Sequence, residues 1–558
     1  MFGNKYYGFS KIGFGKKYLS LTSMSDPEAV VAQFSDLHNG EKRQVRVGET
    51  DVLLVRSDDR VYALGAYCTH HAAPLVDGVI HAHQIVCPWH NAYFDITTGD
   101  LQEPPGLDSL PRYLVRIEDD RVIVTVPESA SGLRTLEMAQ YDRAIDNRTF
   151  VILGAGAAGI HAAETLRVAG YKGRIVMITR EDKLPYDRTT LSKNYFTGKS
   201  TKESIMLRSP EFFERHQIEV WLDRTVENAD LNTKTITFQT GETLVYDSLL
   251  IATGTQPIQL EVPGADLQNI LTLRSFADAD SLLELAKNTD LAVVIGSSFI
   301  GMEIAAGLTQ KGVKVTIVSR ASFPFEKSLG VEIGHLFEQV HQEQGVTFRM
   351  GRKVAQLEGE GTVATVVLDN GDRLSADLVV VGIGVKPVTD FITGIDLDPQ
   401  DRSILVDEYL CAAEGVYAAG DIARYPDWLT SGSLRIEHWR IAAQHGRIAA
   451  HNMVGNPTKF RGVPVFWSAQ FEFPIRYVGH ATAWDELIID GDLDRREFIA
   501  FYVKDDRVLA AASSKRDTET AAIAELIRLD RMPCPDELRQ GQFKLKYPAI
   551  LGDYPGSN

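Results

Sequence analysis

The stretch Thr149–Glu181, TFVILGAGAAGIHAAETLRVAGYKGRIVMITRE, decides how the rest of the chain is read. An apolar run leads into Gly154, Ala155, Gly156 and Gly159, an alanine-rich segment follows, and a second apolar run ends near Glu181. Strand, glycine turn, helix and strand in that order are the unit of a parallel α/β sheet. Glycine permits a tight turn and close approach of backbone to a ligand, and the helix N-terminus attracts a pyrophosphate. Glu181 then offers the carboxylate that holds a ribose hydroxyl. The glycine spacing alone is a weak signal; with strand, helix and acid in place it reads as a dinucleotide site.

Two later segments extend this reading. LLIATGTQP, with Ala252, Thr253 and Gly254, and GVYAAGDIA, with Asp421, resemble the later FAD motifs of flavoproteins that carry two dinucleotide domains. The resemblance implies FAD, with Asp421 on its ribityl chain. Between them lies a second unit, LAVVIGSSFIGMEIAAGLTQKGVKVTIVSRASF, where such a fold inserts its nicotinamide domain. Gly296, Ile300 and Gly301 fit the template, Ser298 replaces the middle glycine, and Gly382 completes the expected nucleotide contacts. Its second strand ends at Ser319-Arg320, where an NADH site usually offers a carboxylate. Ser and Arg instead donate hydrogen bonds to a 2′-phosphate, so NADPH is expected over NADH. The alternative is an Arg320 that merely faces solvent beside a permissive NADH pocket.

Upstream, CTHHAAPL and CPWHNAYFD each supply one thiolate and one imidazole: Cys68 with His70, and Cys87 with His90. A [2Fe–2S] centre with two Cys on one iron and two His on the other needs that split. The competing reading is a structural Cys₂His₂ zinc site, but those usually pair like with like at short spacing. The loops resemble the Rieske ferredoxin family. Its respiratory branch adds a disulfide between the loops, where this chain has Ala73 and Trp89, and two hydroxyls that bond to sulfur, where it has Ala92 and Phe94. Fewer donors to sulfur lower the potential, so a low-potential, ferredoxin-type centre is expected. Its His70/His90 iron is expected to face solvent as the electron exit.

At 558 residues and 44% hydrophobic, the chain has room for several cores. A net charge of −17 argues against nucleic acid and anionic membranes as partners. Between Asp26 and Val126 acids outnumber bases by about two to one, a solvated face or a docking surface for a basic partner. No run approaches the roughly 18–20 apolar residues of a spanning helix. Four cysteines, two of them assigned to the cluster, make no disulfide framework. A cytoplasmic setting is expected. The pattern implies a multidomain chain: a tail at 1–24 (disordered, a transit segment or an over-long start), a small all-β Rieske domain at 25–127, and a polar linker at 128–147. Two Rossmann-like α/β domains follow, for FAD at 148–270 and 391–458 and for NAD(P) at 271–390. A C-terminal α+β interface domain occupies 459–558.

From Arg148 onward the chain resembles the apoptosis-inducing-factor-like flavoproteins and the ferredoxin reductases of bacterial oxygenase systems. With the first domain included, it is most similar to the Rieske-fused branch. LPYDRTTLSK, GSSFIGMEIA, IEHWRIAAQHGRIAAHNM and VFWSAQF carry the resemblance, with Thr189-Thr190 where the family usually has Pro-Pro. It implies that Arg188 and Lys193 contact FAD, that Lys193 pairs with Glu303 near the reactive flavin nitrogen, and that His438 and Trp439 lie along the flavin and nicotinamide. It further implies that VFWSAQF closes over the flavin. The C-x₄-C of disulfide reductases is missing from TTLSKNYFTG, which excludes thiol chemistry. The expected function is NAD(P)H-dependent transfer through FAD to the cluster and on to a protein acceptor, such as an oxygenase or a cytochrome. Alternatives are a redox-sensing interaction protein with incidental turnover, or an NAD(P)H oxidase. A homodimer is compatible with either.

Overall fold

Valine- and leucine-rich runs early in the chain pair into an antiparallel sheet of Glu28–Gln33, Arg121–Thr125, Arg112–Glu118, Arg60–Gly65, Thr50–Ser57 and Lys42–Val47, in that spatial order. A four-stranded meander, Val79–His81, Gln84–Val86, Tyr93–Asp95 and Leu101–Glu103, carries the two Cys/His loops at one end. The computed structural model describes residues 26–430 and 432–543, so the expected tail and the last residues of the C-terminal segment lie outside the described residues.

The two glycine-turn units each build a sheet. Around the first, Ile218–Trp221, Arg174–Ile178, Thr149–Leu153, Ser248–Ile251 and Val416–Ala418 run parallel. Around the second, Ile270–Leu271, Leu378–Val381, Leu291–Ile295, Lys314–Ser319 and Thr347–Met350 do the same. Buried on both faces, the central strands Thr149–Leu153, Ser248–Ile251, Leu291–Ile295 and Leu378–Val381 are nearly continuous apolar runs, whereas the edge strand Thr347–Met350 alternates. An antiparallel sheet follows, Val465–Gln470, Phe473–Gly479, Arg507–Ser514, Glu497–Lys504 and Glu486–Asp492, backed by the helix Asp517–Arg528.

The first domain packs cluster-end inward. Val79, Val86 and Tyr93 share a core with Val463, Val465, Phe501 and Leu526, and the buried Tyr93 hydroxyl donates to Glu525 (3.2 Å). Arg208 bonds Asp108 of the first domain (2.7 Å) and Glu164 of the FAD-motif helix (2.9 Å). Removing one partner from such a buried group strands a charge and costs about 3–5 kcal/mol. The stretch 128–147, expected to be a coil-like linker, is a fastened strap. Arg134 and Ser109 exchange backbone hydrogen bonds (2.8 Å each) and Thr135 donates to Asp108 (2.8 Å). Ala139 and Asp142 then bond the carbonyls of Arg167 (2.9 Å) and Lys172 (2.8 Å). Backbone groups of the strap thus find partners on both neighbours.

Burial also sets the acid response. His445 is fully buried against Tyr425 and Phe460 and accepts the Gly420 amide (3.2 Å); burial pushes its pKa down to about 3. At His341 burial outweighs the Gln470 hydrogen bond, and the value falls to about 4. Both folded values lie below the unfolded value of about 6.5, so this stability is present above pH 6.5 and lost as pH falls toward 4 and below. Apparent thermal midpoints should drop across that window. His445→Gln should flatten the decline, even where it lowers the midpoint at pH 8; an unchanged slope would show that His445 titrates normally.

Candidate redox site

The first glycine turn is shaped by close backbone approach. Gly154 has φ of 114°, and a Cβ there would lie 2.2 Å from the Ala252 carbonyl; one on Gly159 would lie 1.9 Å from the Gly154 carbonyl. Beside Gly156 the space is open, at the N-terminus of the helix Ala157–Val168. That cradle fits a pyrophosphate. Ala252, Thr253 and Gly254 cross the same turn at the end of Ser248–Ile251, and the Thr253 hydroxyl is engaged with Val388 O (3.0 Å). Asp421 accepts from Thr255 (3.1 Å) and Arg274 (3.0 Å). Glu181 is drawn to Arg188 and to the Tyr186 hydroxyl (2.6 Å). The expected ribose carboxylate and the expected flavin-contacting arginine are thus ion-paired with each other, a link the sequence reading did not contain.

Lys193 and Glu303 come from segments 110 residues apart. The Lys193 ammonium donates to Glu303 (2.8 Å) and to Thr189 O (3.2 Å). The nearly buried Glu303 carboxylate also accepts from Ser192 and from Ser468 (2.6 Å). Gln470 continues the chain, donating to Ser468 (3.1 Å) and meeting His341 (2.8 Å). His438 caps the helix Trp439–Met453 and packs on Phe466 (4.7 Å between ring centres); burial pushes its pKa down to about 3, so it is neutral. Trp439 is partly buried at the first turn of that helix.

In the second unit Gly296 meets Gly382 as Gly154 meets Ala252, with a Cβ 2.1 Å from the carbonyl, and Gly301 packs on Gly296. Ser298 caps the helix Phe299–Gln310, and Ile300 is exposed beside it. Ser319 is buried, and its hydroxyl oxygen accepts from Ser297 (2.8 Å) and from the Ala321 amide (3.3 Å). Arg320 is exposed, and Arg352, whose amide donates to Ser319 O (2.9 Å), adds a second exposed cation at that strand end.

The two Cys/His loops have one backbone design. In each, the residue five after the cysteine bonds back to it (Cys68 N to Ala73 O, 2.9 Å; Cys87 N to Ala92 O, 2.8 Å), and the residue before that has positive φ, Ala72 at 56° and Asn91 at 57°. Both thiols are buried, and the Nδ1 atoms of His70 and His90 face each other at 3.1 Å. Burial holds both imidazoles well below the usual histidine range, in the neutral form that ligates metal. Burial raises the Cys87 thiol, but the Cys68 thiol and the amides of Trp89 and His90 hydrogen-bond it and bring its pKa below the ordinary value. Two buried thiols ringed by amides, opposite two neutral imidazoles, fit a Cys₂His₂-ligated [2Fe–2S] cluster.

The expectation that the histidine edge faces solvent is corrected. The His90 ring lies 4.1 Å, and that of His70 6.0 Å, from the Trp467 ring of the C-terminal sheet. The fused domain turns that edge inward because its apolar meander is buried there. The VFWSAQF segment is a strand, and its alternation serves both sides. Phe466 and Ser468 face His438 and Glu303, whereas Trp467 faces the cluster loops. Its cross-strand partner Arg476 donates to Trp89 O (2.9 Å), and Arg440 reaches Asn91 O (3.0 Å) and Pro104 O (3.1 Å). Trp467 and Arg440 were visible only as parts of motifs, and Arg476 carried no sequence signal.

Fold and site together define a flavoprotein reductase with an iron–sulfur domain docked on it. Residues 28–114 match the Rieske [2Fe-2S] domain and residues 465–549 the reductase C-terminal domain. The chain is 39% identical to apoptosis-inducing factor 3 of Homo sapiens, over 90% of this chain and 84% of that protein. It is 33% identical to rhodocoxin reductase of Rhodococcus erythropolis, over 71% and 93%. A covalent putidaredoxin reductase–putidaredoxin complex superposes with a TM-score of 0.69 at 30% identity, over 73% of this chain and all of that one. With residues 148–446 matching as well, the chain belongs to the pyridine nucleotide-disulphide oxidoreductase family. It is an NAD(P)H-dependent oxidoreductase of the ferredoxin-reductase type, with FAD and a Rieske cluster as cofactors. Among the described residues, no helix is long and apolar enough to cross a membrane.

The purified protein should carry about two iron and two acid-labile sulfides per chain, with the low average g-value EPR of a mixed N/S-ligated centre. Cys87→Ser should abolish that signal and leave FAD content unchanged. Stoichiometric zinc in place of iron would contradict the assignment.

Proposed function

We propose that this chain passes electrons from NAD(P)H to its own iron–sulfur centre, and from there to a separate protein acceptor in a cytoplasmic setting. The observation that carries the proposal is the strand Val465–Gln470, which touches the Lys193–Glu303 pair with one face and the cluster loops with the other. When bound, FAD exchanges two electrons with nicotinamide and single electrons with the cluster. The protein's share is placement. Gly154, Gly156 and Gly159 open room for the pyrophosphate, and Asp421, Glu181 and Arg188 provide polar contacts along its cleft. Glu303, fixed by Ser192 and Ser468, holds the Lys193 ammonium in place, where it favours the anionic reduced flavin. His438 stays neutral and Phe466 packs on it, adding no competing charge. Trp467 packs against the His90 ring. The solved putidaredoxin complex joins a reductase to a separate protein; here the tethered domain takes that partner's role.

Arg320 and Arg352 make NADPH the preferred donor in this reading, with no carboxylate at the strand end to repel a 2′-phosphate. Arg320→Met with Arg352→Gln should lower kcat/KM for NADPH by about ten- to hundred-fold and leave NADH nearly unaffected. Equal constants for the two nucleotides in the parent would remove the phosphate contact. Buried Ser319 is not a useful target, since a change there disturbs Ser297.

Stopped-flow mixing with NADPH should bleach the flavin first and the cluster second, at a rate independent of protein concentration. Cys87→Ser should keep ferricyanide reduction and lose reduction of a protein acceptor such as cytochrome c. A second phase that scales with concentration would mean transfer between molecules. Unchanged cytochrome c reduction in Cys87→Ser would take the cluster out of the path and favour the redox-sensing alternative.

A further inference from the structure

Arg476 stands in an arrangement that its packing does not require. It lies on the strand Phe473–Gly479, directly across from Trp467, and its side chain is 12% exposed. Its Nε donates to the Trp89 carbonyl (2.9 Å), and its second partner is Asp517 at the start of the next helix (2.8 Å). The Trp89 carbonyl belongs to the Trp89–His90 peptide, and the N–H of that same peptide is one of the amides directed at the Cys87 sulfur. Cation, carbonyl, amide and sulfur are therefore connected through one peptide. A hydrogen bond to the carbonyl polarises the peptide and strengthens the bond its N–H makes. A fixed positive charge and stronger donation to sulfur act in the same direction, favouring the more negative, reduced centre.

We propose that Arg476, acting through the Trp89–His90 peptide, sets the redox potential of the iron–sulfur centre, and that Asp517 tempers its charge. The C-terminal sheet thereby restores some of the stabilisation of reduced sulfur that is missing at Ala92 and Phe94. The effect depends on docking, because the guanidinium reaches the loop only across the contact between domains. Arg440 is a different case: it donates to Asn91 and Pro104 carbonyls, and it serves as a clamp. Arg476 is a positioning residue and is not expected to touch substrate or cofactor. This proposal rests on the cluster assignment above.

The test is an EPR-monitored redox titration of the full chain with both cofactors, for the parent and for Arg476→Gln, Arg476→Lys and Asp517→Asn. Arg476→Gln should disfavour the reduced centre by about ten-fold, a downward shift of about 59 mV for a one-electron couple. Asp517→Asn should shift the midpoint upward, and Arg476→Lys should recover part of the loss by keeping the charge without the fork. Opposite signs for the two partners of one ion pair are not produced by loosened packing, which would move both variants alike. An unchanged midpoint in Arg476→Gln, or a downward shift in Asp517→Asn, would overturn the proposal. If Arg476→Gln does not fold, the signs from Arg476→Lys and Asp517→Asn decide it. A parent with no Rieske-type EPR signal would instead overturn the cluster assignment.

Discussion

One strand with two working faces is the constraint on which the rest of the molecule depends. Side chains alternate across Val465–Gln470, so neighbours in sequence serve different sites. Ser468 must reach Glu303 while Trp467 reaches His90. A slip of one residue would exchange the faces, putting an indole against the buried carboxylate and a hydroxyl against the cluster loops. Register is secured by full antiparallel pairing with Phe473–Gly479, and this pairing also aligns Arg476 with Trp467 and Tyr477 with Phe466. The Lys193–Glu303 pair and the cluster loops therefore meet on the same strand.

Docking is achieved with cations that read backbone as well as carboxylates. Arg440 and Arg476 donate to carbonyls of the second cluster loop, and Arg208 joins Asp108 to Glu164. Each guanidinium is largely withdrawn from water and finds several acceptors, the condition under which a buried cation is tolerated. The acidic bias of the first domain takes on partial meaning here. Asp108 and Glu103 meet Arg208 and Gln444 of the body, while most other acids of that domain remain on its solvated surface. The strap at 128–147 adds backbone hydrogen bonds on both sides, so the tether fixes the domain as well as retaining it.

The nucleotide-binding cores were legible because local backbone demands residue type: glycine where a Cβ would strike a carbonyl, and apolar runs where strands are covered on both faces. The four candidate cluster ligands stood out for a similar reason, since metal chemistry prescribes donor identity and spacing. Less came from single residues. Ser319 looked like a phosphate donor; it is buried, and its hydroxyl oxygen accepts from Ser297 and from the Ala321 amide. Glu181 and Arg188, seven positions apart and read as separate contacts, pair with each other because the intervening loop folds back.

The sequence by itself determined the cofactor classes, the order of the folding units, and the Lys193 and Glu303 positions that the family motifs carry. Tertiary structure alone decided the direction in which the cluster faces and what surrounds it. Trp467, Ser468, Arg440 and Arg476 acquire roles only when segments hundreds of residues apart meet. No local pattern encodes that meeting. It follows from burying the apolar edge of the first domain, with Val79, Val86 and Tyr93, against the C-terminal sheet, a non-directional force that brings surfaces together and leaves directional hydrogen bonds to set the final geometry.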